Sequence, residues 1–205
     1  MDRSGFLVLL GVAVFALVAT GASAQNMLVN PDFDTDVTTG WSGIGVWDPM
    51  DAFGSPTSGS VTWINTWASG GAIYHTQCVE LGQDFEAYDL GGYAFIPSGQ
   101  PGAGYTHIHV AFYSDSGCVT QISGWATPDF SGLDNWQSLA RTDWAPNGVV
   151  SARVGLFNQK TSAGDFQTFH DLIYFGRSAE MLFADGFQSG DTFQWGSVVG
   201  GTESF

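Results

Sequence analysis

The chain alternates short runs of β-branched and aromatic residues with clusters of Gly, Pro, Asn, Asp and Ser. Nowhere does it show a capped helical period. This pattern reads as strands joined by turns, because the runs suit a pleated, half-buried surface and the clusters suit the special backbone angles of turns. It predicts strands over 61–67, 72–80, 88–96, 107–114, 136–143, 150–157 and 168–175. Alternation sharpens two of them. In the run from His107 to Tyr113, Ile108, Val110 and Phe112 share one face; from Ser151 to Leu156, Ala152, Val154 and Leu156 do. Strands at this spacing with no helices between them predict an all-β fold, an antiparallel β-sandwich of jelly-roll or Greek-key type with about seven to nine strands.

Charge narrows the partners. Five Lys and Arg face twenty Asp and Glu, for a net charge of −15. Such a chain repels phosphate backbones and anionic lipid, so nucleic acid is excluded as a partner. Uncharged glycans, cations and basic proteins remain. Aromatic residues make up 15 % of the chain and charged residues only 12 %, so there is enough apolar surface to build a core.

Residues 1–24 read as a secretory signal. Arg3 is followed by a 14-residue apolar run from Phe6 to Ala19, and Ala22-Ser23-Ala24 has the small-x-small form of a cleavage site. The expectation is cleavage after Ala24, a secreted or cell-surface location, and no membrane span afterwards. The sandwich is expected over 25–176, and the Gly- and Ser-rich stretch 177–205 as an appended tail. An exported chain with two cysteines invites a disulfide between Cys78 and Cys118; the alternative is two buried thiols. Closing a loop of about 40 residues stabilises a fold by about 4 kcal/mol in the chain-entropy picture.

Several motifs carry a resemblance. The stretch from Asn26 to Asp34, Asn-Met-Leu-Val-Asn-Pro-Asp-Phe-Asp, followed by Gly40-Trp41, resembles the "NLLxNGxFE…GW" opening of galactose-binding-like jelly rolls. Carbohydrate-binding modules of the CBM4/9/22 type are members of that group. Gln77-Cys78-Val79, Phe112-Tyr113 with Cys118, Trp136-Gln137, Ser151-Ala152-Arg153-Val154 and Phe169-His170-Asp171-Leu172 resemble later motifs in the same order. Three departures stand out: Pro31 replaces Gly, Asp34 replaces Glu, and His170 replaces the first Asp of the closing pair. Separately, the stretch 182–195 resembles a "iFaDGFExGdtsaW" segment found at the ends of secreted proteobacterial proteins.

The resemblance implies a structural Ca²⁺ that ties the N-terminal loop to the last strand, with Asp34 and Asp171 as ligands. Oxygen ligands of this kind suit a hard cation. It also implies a monomeric, non-catalytic module whose partner is a polysaccharide or glycan. Sugar rings stack their C–H faces on aromatic planes, so exposed aromatics with polar neighbours are the candidates. Trp63, Asn65 and Trp67 share one face of an extended strand. Trp47, Tyr74, His75, Tyr105 and Trp125 lie in or beside expected loops, and Tyr105 and Trp125 join the binding set. Trp41 and Trp136 match packing positions. Two other classes stay open. One is a structural or adhesive surface protein that binds another protein. The other is an enzyme built on His107 and His109, whose spacing suits a metal centre. For glycoside hydrolysis, Glu80, Asp84, Glu86 and Asp89 are carboxylates by type only.

Overall fold

The computed structural model describes residues 25–178, apart from 35, 69 and 83–85. The expected signal segment and nearly all of the expected tail lie outside the described residues, as does Asp84. Ten strands form two five-stranded sheets, and every pairing is antiparallel. The strands are β1 Ser42–Gly43, β2 Val46–Asp48, β3 Ser60–Asn65, β4 Gly71–Glu80, β5 Ala87–Phe95, β6 Gly104–Tyr113, β7 Gln121–Ala126, β8 Gln137–Trp144, β9 Ser151–Lys160 and β10 Phe166–Arg177. The first sheet runs β1-β4-β9-β6-β7 and the second β2-β3-β10-β5-β8. The antiparallel β-sandwich expected from the sequence is therefore the observed fold. All seven expected strands are present. β1, β2 and β7 are additional: two are very short, and the third, Gln-Ile-Ser-Gly-Trp-Ala, is an edge strand without an apolar alternation.

The core lies between the sheets, filled by inward residues of alternate parity. Ile108, Val110 and Phe112 of β6 and Ala152, Val154 and Leu156 of β9 are almost fully buried, on the faces that alternation assigned them. From the second sheet come Val61, Trp63, Leu90, Ile173 and Phe175. The interior also holds polar residues that are hydrogen-bonded within it. Asn158 donates to Phe166 O and to Thr168 Oγ1, and Asn65 donates to Gly71 O and Asn158 O.

The two ends of the chain meet along β10. Met27 N donates to Phe175 O, Asn26 Nδ2 donates to Ile173 O, and Ile173 N donates to Pro31 O. The opening and closing motifs are thus neighbours. The expected boundary after residue 176 falls inside β10, which continues to Arg177, and Ser178 N still donates to Ala87 O.

The cysteines are bonded, Cys78 on β4 to Cys118 in the turn between β6 and β7. Asp115 organises that turn by accepting from the backbone N–H groups of Gly117, Val119 and Thr120. Cys118 itself takes a positive φ of 53°.

Candidate functional site

Strand register builds a site on the outward face of the first sheet. Residues paired across antiparallel strands point to the same side. Tyr74 of β4 pairs with Phe157 of β9, which pairs with His107 of β6. The next row is Thr76, Gly155, His109 and Ala126; the next is Cys78, Arg153, Ala111 and Gly124. Rings therefore stand at one side, small residues form a floor, and Arg153 stands at the other side. The result is an open trough of about 690 Å3.

The rings interlock. The His107 imidazole stacks on Phe157, with centroids 4.1 Å apart and planes 7° from parallel. Tyr74 meets Phe157 and His109 edge-on at 5.0 and 5.3 Å. Tyr105 lies 6.1 Å from both His107 and Phe157. His107 is oriented by a hydrogen bond of 2.8 Å between its Nδ1 and Asp129 Oδ1. His109 lies across Gly155, where any Cβ would collide with the ring. Burial lowers the His109 pKa to about 4, and the charges of His107 and Arg153 push it the same way.

The far wall is the disulfide-pinned turn. Ser151 Oγ donates to Asp115 O, and Arg153 Nη2 donates to Cys118 O. The Arg153 guanidinium sits 5.1 Å above the Tyr113 ring. A long, flexible side chain is thus held by a carbonyl and an aromatic face.

Of the sequence-derived binding residues, Trp125 lines the trough and Tyr105 lies beside its rings, while Trp63, Asn65 and Trp67 lie elsewhere. Trp63 is 2 % exposed and Asn65 is fully buried, so neither reaches a ligand. They share a face as expected, but Val61 is on that face too, and the face is the inner one. Trp63 instead stacks on His170 at 5.1 Å and 9° and leans on His75. Trp67 lies beyond the end of β3 and is about half exposed. Trp125 lies near the end of β7, packs against the core beneath Arg141, 5.4 Å from its ring, and lines the trough. Tyr74 and Tyr105 are also in strands, and of the candidates named from the sequence they are the pair beside the stacked rings. His75 is buried and bonded to Val37 O. Phe157, His107 as a binding residue, and Arg153 escaped the sequence reading. Alternation in β6 and β9 marks all three as outward, which was the available signal.

The metal-centre reading of His107 and His109 is not supported. Their rings meet edge to face at 6.1 Å, Asp129 occupies His107 Nδ1, and no third ligand joins them. Among the described residues no group of three His, Cys, Asp or Glu side chains is placed to hold a metal.

The two expected calcium residues differ in setting. Asp34 is exposed. Asp171 is fully buried at a bulge in β10, where Leu172 adopts a φ of 52° and the register with β5 shifts. A bulge re-aims the side chains around it. Here the Asp171 carboxylate meets the 49–58 loop and accepts from the backbone N–H groups of Ala52 and Leu172. Burial pushes its pKa up to about 7, and Asp51 and Asp32 add to the push. Asp32 in turn is raised by burial and by Asp34 and Asp51. The buried carboxylate thus has negative neighbours and an incomplete set of donors.

No family model matches the chain, and no curated protein matches it. Solved structures do. The enzymatically active domain of tailspike protein 4 from bacteriophage CBA120 aligns with a TM-score of 0.57 at 16 % identity, over 75 % of this chain and 21 % of that one. The chain therefore spans about a fifth of the tailspike chain. A family 16 carbohydrate-binding module aligns with a TM-score of 0.53 at 17 % identity, over 73 % of this chain and 99 % of that one. A putative sugar-binding protein from Bacteroides thetaiotaomicron aligns at 0.52 and 11 %, over 75 % and 100 %. The fold is thus a jelly-roll β-sandwich of the kind found in carbohydrate-binding modules. At these identities the likeness speaks to fold.

Proposed function

We propose that this chain is a secreted, non-catalytic glycan-binding module whose ligand lies in the trough on the first sheet. The observation that carries the reading is the row Tyr74–Phe157–His107, with Tyr105 beside it. Tyr74, 45 % exposed, offers its ring to the C–H face of a sugar beside the His107 imidazole that covers the nearly buried Phe157, with Thr76, Gln121, His109 and Arg153 available for hydrogen bonds to hydroxyls. The match to carbohydrate-binding folds over 73 % and 75 % of this chain supports it. Among the described residues the trough lining contains no pair of carboxylates, which glycoside hydrolysis needs, and the role proposed is binding. No helix among the described residues is long and apolar enough to cross a membrane, and the N-terminal apolar run supports export.

Calcium is proposed as a structural ion at Asp171, with backbone and hydroxyl oxygens completing its shell, since among the described residues no three carboxylates are grouped to hold it. A divalent cation there would favour the ionised form of a carboxylate that burial first, and the charges of Asp51 and Asp32 next, disfavour. It would supply no chemistry and would pin the 49–58 loop to β10.

The test is a screen of the exported chain against a broad polysaccharide panel, with and without a calcium chelator. Saturable retention that disappears in a Tyr74→Ala/His107→Ala variant of unchanged melting temperature is expected. Retention unaffected by that variant would move the site elsewhere, and no retention by a folded chain would remove the glycan reading. Chelation is expected to lower the melting temperature while leaving binding in the cold intact.

A further inference from the structure

Among the described residues that line the trough, Arg153 is the one Lys or Arg, and no Asp or Glu is among them. Its position contrasts with the other described arginines. Arg141 is paired with Asp143 and Arg177 with Glu86, whereas Arg153 enters no ion pair among the described residues. The carboxylate closest to the ring side of the trough, Asp129, is committed to His107. In a chain of net charge −15, an arginine without a carboxylate inside a ligand-sized trough stands out.

The guanidinium is also pre-positioned. It rests on Tyr113 and spends one of its N–H groups on Cys118 O, in a turn fixed by the disulfide. A guanidinium carries five such groups, and a planar fork matches a carboxylate well.

Resting on the glycan-binding reading above, we propose that the trough takes a largely neutral sugar chain carrying scattered uronic acid residues. Arg153 anchors the carboxylate, and the Tyr74–Phe157–His107 row takes a neutral ring beside it. Sparse acids fit better than a polyuronate. The protein's overall negative charge opposes approach of a polyanion, whereas an isolated carboxylate feels mainly charges within about one Debye length, ~8 Å in physiological salt.

The test uses titration calorimetry on the exported chain with glucuronoxylan, gum arabic and xanthan, each compared with its own carboxyl-reduced form, alongside a neutral polysaccharide panel. At least one acid-bearing glycan is expected to bind about tenfold or more tightly than its reduced counterpart, a ratio worth about 1.4 kcal/mol. Arg153→Gln is expected to abolish that ratio and Arg153→Lys to keep part of it. The Lys variant also serves if Gln disturbs the fold. Equal binding of acid and reduced forms would overturn the anchor while leaving glycan binding intact. So would a preference for the acid form that survives Arg153→Gln. A folded chain that binds no acid, reduced or neutral glycan would overturn both this proposal and the reading on which it rests.

Discussion

The molecule carries two aromatic–histidine assemblies of similar composition and opposite setting. Inside the sandwich, Trp41 stacks on His75 at 5.7 Å and 8°, His75 leans on Trp63, and Trp63 stacks on His170. On the outward face of the first sheet, Tyr74, Phe157, His107 and His109 make a comparable set of contacts. The inner assembly bridges both sheets and is sealed, and Thr106 Oγ1 meets His170 Nε2 at 2.7 Å. The outer one rests on a single sheet over small residues. The inner rings hold the fold together, and the outer rings present a surface. Stacked aromatic geometry alone therefore does not mark a binding site; what distinguishes the two is whether a second sheet covers the rings.

The sharpest way to break this contrast is to truncate one ring from each assembly. Trp63→Ala is expected to destabilise the protein by about 3–5 kcal/mol, the usual cost of deleting a large core aromatic. Tyr74→Ala, at a side chain 45 % exposed, is expected to cost less than about 1 kcal/mol yet weaken glycan retention at least tenfold. Urea unfolding and affinity electrophoresis measure the two effects. A well-folded Trp63→Ala protein with lost binding would reverse the assignment of the two assemblies. Next in size is the disulfide. Cys78→Ser with Cys118→Ser is expected to cost about 2–4 kcal/mol. It should also weaken binding more than a distant change of equal cost, because the Arg153 anchor sits on that turn.

Acid sharpens the same contrast. Burial holds His75 below its ordinary pKa and His170 at about 3, while His109 sits at about 4. In the unfolded chain each takes up a proton near pH 6.5. The unfolded state therefore binds more protons below pH 6.5, and the stability from these three histidines is lost as pH falls from there towards 4. Asp171 opposes them. Its folded pKa of about 7 lies above the ordinary 3.8, so its contribution is complete below about pH 3.8 and is lost as pH rises through 7. Two to three protons work against one, so the net expectation is a fall of about 1–3 kcal/mol between pH 6.5 and 5. Urea midpoints across that range, without calcium, measure it. His109→Asn should flatten the slope without removing it, because the two inner histidines remain. A midpoint that rises on acidification would mean that Asp171 dominates.

The sequence makes parity legible but leaves register unread. Ile108, Val110 and Phe112 mark the inner face of β6, so His107 and His109 can be placed outside before any coordinates exist. In β3 the same logic groups Trp63 with Asn65, and Val61 on that face is the clue that it points inward. What alternation does not reveal is that Tyr74, Phe157 and His107 fall in one row, since that depends on pairing between strands over thirty residues apart. The bulge at Leu172 is hidden for a related reason. A simple alternation gives His170 and Asp171 opposite exposures, whereas both are buried, the carboxylate under the 49–58 loop. The meeting of the opening and closing motifs was legible only through resemblance; the choice of Asp34 as a partner for Asp171 came the same way, and the nearer carboxylates are Asp32 and Asp51.

The smallest expected effect tests whether the outer assembly is held by packing or by charge. His107 and Asp129 form an ion pair at 2.8 Å when the imidazole is protonated, and the Asp129 side chain is 59 % exposed. Pairs that open to solvent contribute about 0–1 kcal/mol, while the His107 ring is also clamped face to face on Phe157. Asp129→Asn is therefore expected to change stability by less than about 0.5 kcal/mol and to leave the ring stacked. The amide can donate to Nδ1 as well as accept from it, so it no longer fixes which ring nitrogen carries the proton, and the hydrogen bond that His107 offers a sugar hydroxyl weakens. A two- to fivefold loss of glycan affinity with an unchanged melting temperature, about 0.4–1 kcal/mol, is the expected result. An affinity loss as large as that of Tyr74→Ala would mean that the carboxylate, and not the Phe157 ring, holds the histidine in place.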